Sequence, residues 1–158
     1  NHLTGVSNGR LIATEHLPDD RTAYKWEVKN TINAYSIIPY IGKYVEIKDS
    51  YVGERGLLDL NYWVLDYNYD LAKVYFPKET KPTLAAFEYW FGPYPFYEDS
   101  YKLVDVPYPG MEHQSAIAYG NNYASGYSGR SCRHGGYAAR TGGHQADADA
   151  RGQQRRGL

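Results

Sequence analysis

The chain has 158 residues, of which 42% are hydrophobic, 22% charged and 16% aromatic, and its formal net charge at pH 7 is −1. This length predicts one globular domain or parts of two. The balanced charge argues against a nucleic-acid partner, and no apolar run approaches the roughly 18 residues of a membrane-spanning segment. The single cysteine, Cys132, excludes an internal disulfide framework and a cysteine-rich zinc site.

The first part of the chain predicts an all-β region. Residues 24–29 alternate apolar and charged side chains, which is the period-two pattern of a strand with one buried face. Residues 35–41 and 44–48 are rich in Ile, Tyr and Val and predict two more strands. Residues 58–64 alternate again and predict a long strand after a turn. Antiparallel strands in this succession predict a β-sandwich or a curved sheet.

The period changes after about residue 70. Residues 69–76 predict a helix that Pro77 ends or kinks, and Pro82 suits the first turn of a second helix. Gly92-Pro93 ends that second helix. Two more strands are predicted at 101–106 and 111–119. The fold class is therefore β plus α/β, with the end of an all-β domain joined to the beginning of a mixed domain.

The composition changes sharply toward the C-terminus. The last 28 residues carry five arginines and six glycines but no Ile, Val, Phe, Trp or Met. Such a segment buries too little apolar surface to offset the entropy of ordering it. We predict that residues 131–158 are disordered or translated from a shifted reading frame, with a genuine Arg-rich extension as the alternative. His134 and His144 have no third partner nearby and fit no common zinc spacing.

One stretch carries most of the functional information. It consists of Phe91-Gly92-Pro93-Tyr94-Pro95-Phe96 and then Gly110-Met111-Glu112-His113-Gln114-Ser115-Ala116-Ile117-Ala118-Tyr119-Gly120. It resembles the aminopeptidase N family of zinc metallopeptidases, in which a phrase F-G-x-Y-P precedes the exopeptidase motif G-A-M-E-N. Met111 and Glu112 match the motif. The replacements are Pro109 for its first Gly, Gly110 for its Ala and His113 for its Asn.

The resemblance extends upstream. Trp26-Glu27-Val28 and Ile32-Asn33-Ala34-Tyr35-Ser36 are similar to the late strands of the family's N-terminal β domain, with Thr31 in place of a proline. The resemblance implies that residues 1–70 are the C-terminal part of that β domain. It also implies that residues 71–130 are the opening helices and strands of a thermolysin-like catalytic domain.

The resemblance also implies a role for the motif. An aminopeptidase must hold the free amino terminus of a peptide, and a fixed carboxylate does so through charge-assisted hydrogen bonds. Glu112 would supply this carboxylate, and the edge strand Pro109-Gly110-Met111 would pair with the substrate main chain. His113 and Gln114 would line the same cleft, although alternation lets at most one of them point with Glu112. The plainer alternatives are a solvated surface glutamate and a structural histidine.

The zinc chemistry of this family requires an H-E-x-x-H helix, which binds the metal through its histidines, and a second Glu ligand. The sequence contains no H-E-x-x-H. We therefore expect zinc in the intact parent enzyme and none bound by this chain. The parent would remove N-terminal residues from peptides, whereas this chain alone would be inactive.

A second interpretation belongs to a different class of protein. The 18 tyrosines could supply a non-catalytic β module whose aromatic strands bind a peptide or glycan. Its Arg-rich tail would then be a functional tether. The interpretation as a binding module predicts no zinc even in the full-length product. The interpretation as an enzyme fragment predicts an exposed apolar surface where the missing helices would pack.

Overall fold

A computed structural model describes residues 3–124. The tail predicted at 131–158 lies outside these residues. The strands are β1 (Thr4–Val6), β2 (Arg10–His16), β3 (Thr22–Glu27), β4 (Tyr40–Gly42), β5 (Tyr44–Gly53), β6 (Gly56–Leu65), β7 (Tyr101–Asp105) and β8 (Ile117–Tyr119). The helix α1 is Tyr69–Phe91, and short 3-10 turns occupy Ala34–Ser36, Asp66–Asn68 and Tyr97–Asp99. The described part of the chain is therefore mostly β structure with one long helix.

The strands form one four-stranded sheet and two pairs. The sheet has the order β5-β6-β7-β8, in which β5 and β6 are an antiparallel hairpin and the two later pairings are parallel. Strand β1 pairs with β4 and β2 pairs with β3, both antiparallel. The antiparallel pairing expected before residue 70 is thus confirmed, as three separate pairs. The sheet itself takes strands from both sides of residue 70, and the domain division there stays a prediction.

Strand β6 organises the core because one of its faces is buried by alternation and Trp63 is buried on the other face. One face packs against α1 and buries Leu58, Leu60, Tyr62 and Val64 completely. Tyr62 stacks on Phe76 of α1 with ring centroids 5.0 Å apart. On the other face Trp63 meets Trp26 of β3 edge-on at 5.8 Å. The strand predicted at 58–64 is confirmed, as is the alternation of the strand around Trp26.

The second face of the sheet is covered by the first forty residues. An apolar cluster there joins β1 and β4 to β7 and to the segment that leads into β8. Its members are Val6, Tyr40, Trp63, Val104, Val106, Ala116 and Ala118. The sheet therefore lies between α1 on one side and the N-terminal strands on the other.

The expectation of two helices is wrong, because α1 continues through Pro77 and Pro82 without a break. A proline inside a helix loses a hydrogen bond and costs about 3 kcal/mol. The helix nevertheless buries a residue at every fourth position, namely Ala72, Phe76, Thr80, Leu84 and Glu88. Packing of this stripe on the sheet holds both halves in line and offsets the local cost. The helix ends at Gly92, where φ is 86°, as the sequence predicts.

Two predicted strands are also wrong in extent. The segment 35–41 begins inside the 3-10 turn Ala34–Ser36, where the Asn33 side chain accepts a hydrogen bond from Ser36 N, and its only strand residues are the first two of Tyr40–Gly42. Within 111–119 only Met111 and Ile117–Tyr119 pair with other residues as strands do. The residues between them turn, because Ser115 has a φ of 56° and Ala116 N bonds His113 O. Among residues 3–124 no helix combines the length and the apolar composition that a bilayer crossing needs.

Candidate functional site

The predicted site residues lie at the outer edge of the four-stranded sheet. Strand β8 pairs with β7 on one side, and on its other side Ala118 forms an antiparallel bridge with Met111. Met111 N donates to Ala118 O at 3.2 Å, and Ala118 N donates to Met111 O at 2.9 Å. Gly110 and Glu112 form no backbone hydrogen bond within residues 3–124. Their N–H and C=O groups are therefore available at this edge of the described structure.

Glu112 is exposed at this edge. Its carboxylate has no hydrogen bond or ion pair with any residue of the described part of the chain. The neighbouring Met111 side chain is held, because the Tyr35 hydroxyl lies 3.6 Å from Met111 Sδ. The site thus presents a carboxylate without a partner in residues 3–124. The neighbouring N–H and C=O groups of Gly110 and Glu112 have no backbone partner in the same residues.

The two residues after Glu112 point elsewhere. His113 is buried, and its Nδ1 lies 3.0 Å from the Tyr40 hydroxyl. That hydroxyl also donates to Ala116 O at 2.9 Å, so it accepts from a protonated Nδ1 of His113. Gln114 is half-buried, and its Nε2 donates to Thr31 O at 3.1 Å. His113 is therefore buried, whereas Glu112 is exposed.

Pro109 and Gly110 are exposed residues where the chain crosses close to β8. A Cβ atom on Gly110 would lie 2.6 Å from Ala118 O, which is closer than real Cβ atoms approach. Only glycine fits at this crossing without a backbone shift. The glycine thus permits the close internal contact with Ala118, and its role in the approach of a substrate stays a prediction.

The structure also brings Asn8 and Tyr40 behind this edge, and the sequence interpretation missed both. Asn8 is buried, and its side-chain nitrogen donates to Ser36 O at 2.9 Å and to Gln114 O at 2.5 Å. Its side-chain oxygen accepts from Ile38 N at 2.9 Å. Burial raises the pKa of the Tyr40 hydroxyl above its ordinary value. The Asn8-Gly9 pair is a typical turn dipeptide, which is the one signal in the sequence that marks this position.

A buried polar group ties β7 to the N-terminal strands. The Lys102 ammonium donates to Gly9 O, to Asp99 O at 3.0 Å and to Ser100 Oγ at 3.1 Å. The buried Asp99 carboxylate in turn accepts from Lys29 N at 2.7 Å and from Asn30 N at 3.1 Å. Burial lowers the pKa of Lys102 to about 7, and the charge of Asp99 partly opposes that shift.

The described residues do not fit a zinc site. Residues 3–124 contain no group of three His, Cys, Asp or Glu side chains that could hold a metal ion. His113 is turned into the interior, where its Nδ1 contacts Tyr40. Residues 3–124 therefore do not by themselves supply the set of three protein ligands that a zinc hydrolase uses.

No protein-family model and no curated protein matches the sequence. Solved structures do match. Legionella pneumophila aminopeptidase A in complex with aspartic acid has a TM-score of 0.63 and 16% identity, covering 75% of this chain and 14% of its own. An M1 zinc metallopeptidase mutant from Deinococcus radiodurans, bound to a Tyr-Ser-Ala substrate, has a TM-score of 0.61 and 16% identity, covering 73% and 27%. A two-domain M1 zinc metallopeptidase mutant bound to L-arginine has a TM-score of 0.62 and 12% identity, with the same coverage.

At these identities the likeness shows the fold alone. About three quarters of the chain is similar in fold to part of these proteins, which supports the expected resemblance at the level of fold. The chain spans between 14% and 27% of the length of those proteins. Those proteins are metallopeptidases, and the structures hold an amino acid or a peptide substrate.

Proposed function

We propose that this chain is part of a zinc-dependent aminopeptidase and that Glu112 binds the amino terminus of the peptide substrate. One observation carries the proposal. An exposed carboxylate without a partner in residues 3–124 lies at the open edge of a sheet whose fold is that of zinc metallopeptidases. The match of Met111 and Glu112 to the exopeptidase motif points to the same role.

The chemistry of this edge suits an extended peptide with a free amine. The N–H and C=O groups of Gly110 and Glu112 can pair with the peptide main chain, as in strand addition to a sheet edge. The Glu112 carboxylate can then accept charge-assisted hydrogen bonds from the terminal ammonium, which are worth about 1.5–3 kcal/mol. Pro109 cannot donate a backbone hydrogen bond, so it limits the pairing edge on that side. His113 and Gln114 support the turn behind the carboxylate and are not ligand contacts in this proposal.

Zinc belongs to the parent enzyme in this proposal, held by residues other than 3–124. The second part of the described chain, from about residue 71, is then the opening of a thermolysin-like catalytic domain. The 158-residue chain binds the substrate amine but does not hydrolyse the peptide by itself. Removal of N-terminal residues from peptides is the activity of the complete enzyme.

The test is an NMR titration of the full chain with a dialanine peptide and with its N-acetyl form. We expect the free amine to bind about tenfold more tightly, because a charge-assisted hydrogen bond of this kind contributes at least about 1.4 kcal/mol. Glu112→Gln should reduce this preference to less than twofold. Glu15→Gln is the matched control, because it removes an exposed carboxylate from β2, away from the edge. A preference that Glu112→Gln leaves unchanged would contradict the proposal.

A further inference from the structure

We infer that Asn8, Gly9 and Tyr40 are positioning residues for Glu112, holding the turn that follows it from the side opposite the substrate. This inference rests on the proposed function, because it gives a task to residues that do not touch the ligand. The turn is defined as residues 113–116. Each of its four residues has a hydrogen bond to one of these three upstream residues.

Tyr40 holds both ends of the turn. Its hydroxyl lies 3.0 Å from His113 Nδ1 and 2.9 Å from Ala116 O, and all three residues are buried. A single oxygen thus fixes the first residue after Glu112 and the last residue before β8. Both bonds are shielded from water, and loss of either would leave a buried polar atom unpaired.

Asn8 and Gly9 hold the middle of the turn. Asn8 Nδ2 donates to Gln114 O, and Gly9 N donates to Ser115 Oγ at 3.0 Å. Gly9 is itself fixed, because its carbonyl accepts from the buried Lys102 ammonium. Its φ is 76°, and a Cβ atom there would lie 1.9 Å from Glu27 O, so no other residue fits. The loop between β1 and β2 is therefore held by β3 and Lys102 while its Asn8 side chain and Gly9 N–H contact the turn.

This arrangement fixes the backbone from which the Glu112 side chain extends. The side chain has no partner of its own within residues 3–124, so within these residues only the backbone on either side constrains it, by setting the direction of its Cα–Cβ bond. On one side Met111 is paired with Ala118, and on the other side His113 is held by Tyr40. A carboxylate that binds an ammonium must be fixed to a fraction of an ångström, and residues behind it normally supply that rigidity.

The experiment compares Tyr40→Phe with Tyr44→Phe in the full chain, using the same pair of dialanine peptides. Tyr44 is the matched control, because its hydroxyl donates to Asp105 O at 3.0 Å and does not contact the turn. We expect Tyr40→Phe to reduce the preference for the free amine at least threefold and Tyr44→Phe to leave it within 1.5-fold of wild type. Amide hydrogen exchange should accelerate at Ala116 and Ala118 in Tyr40→Phe only, with strand β6 unchanged.

The outcomes separate this inference from the proposed function. If Glu112→Gln abolishes the preference but Tyr40→Phe keeps it, the proposed function stands and the positioning role is wrong. If Glu112→Gln has no effect, the proposed function fails first. Asn8→Ala is a second test and should lower the preference for the free amine as Tyr40→Phe does. Asn8→Ala removes three hydrogen bonds of the Asn8 side chain and can unfold the chain. The decisive variant for the positioning role is therefore Tyr40→Phe.

Discussion

The helix side of the sheet and its outer edge are stabilised in different ways. On the helix side, Tyr62 and Phe76 belong to an apolar cluster whose members bury almost all of their surface. At the edge, hydrogen bonds hold residues 113–116 from behind, where Ala116 also joins a buried apolar cluster, and Glu112 in front is exposed. We therefore expect the helix side to contribute to the folding free energy and, in the proposed function, the edge to contribute to ligand binding. Substitutions on the helix side should accordingly change the free energy of unfolding, and substitutions at the edge should change the affinity for a peptide amine.

The largest effect on stability is expected at Phe76. Its ring stacks on Tyr62 and meets Tyr119 edge-on at 4.9 Å, and the residue is 1% exposed. Phe76→Ala should lower the free energy of unfolding by about 3–5 kcal/mol, through lost burial and the cavity that remains. Urea denaturation followed by circular dichroism measures this. Val74→Ala, two residues earlier and 72% exposed, should change it by less than about 0.5 kcal/mol. Similar losses for both variants would contradict the comparison.

A smaller, pH-dependent effect is expected at Lys102. Folding lowers its pKa from 10.5 to about 7, so between pH 7 and 9 the unfolded chain keeps a proton that the folded chain releases. Raising the pH in this window therefore stabilises the folded state. Lys102→Met should reduce the slope of the free energy of unfolding against pH by up to about 1.4 kcal/mol per pH unit. Lys48→Met is the control, because its side chain is 78% exposed. Equal slopes in wild type and Lys102→Met would contradict the claim that folding lowers the pKa of Lys102.

The smallest effect on stability is expected at Glu112. Its side chain is exposed and has no partner among the described residues, so Glu112→Gln should change the free energy of unfolding by less than about 0.5 kcal/mol. Thermal unfolding measures this on the same samples that are used for the peptide titration. A loss above about 1 kcal/mol would mean that the carboxylate has a structural partner instead of an open ligand site.

The sequence predicts the parts of the fold that local pattern controls. The alternation at 58–64 correctly marks β6, because a strand with one apolar face must repeat every second residue. The division of the helix at Pro77 and Pro82 is wrong, because the buried stripe from Ala72 to Glu88 outweighs the local cost of two prolines. That balance depends on the sheet beneath the helix, which no local pattern reveals.

The candidate site is predictable only in part, for the same reason. The sequence singles out Glu112 through its resemblance to a motif, and the structure shows Glu112 exposed and His113 buried, whereas the substrate role of either residue stays a prediction. Asn8 and Tyr40 lie far from it in sequence, and their hydrogen bonds to the turn come from tertiary packing. The burial of Lys102 is equally unpredictable, because a lysine inside a strand normally indicates the solvent face.

The most direct test of the central claim is to sequence the coding DNA from codon 120 past the stop codon and translate all three frames. If the chain is part of a zinc aminopeptidase, one frame should encode an H-E-x-x-H motif followed by a downstream glutamate. Expression of that reading frame joined to residues 1–130 should then give a zinc-containing protein that cleaves unblocked dipeptides. Absence of the motif from every frame would contradict the aminopeptidase proposal and favour a non-catalytic module that binds a peptide or glycan.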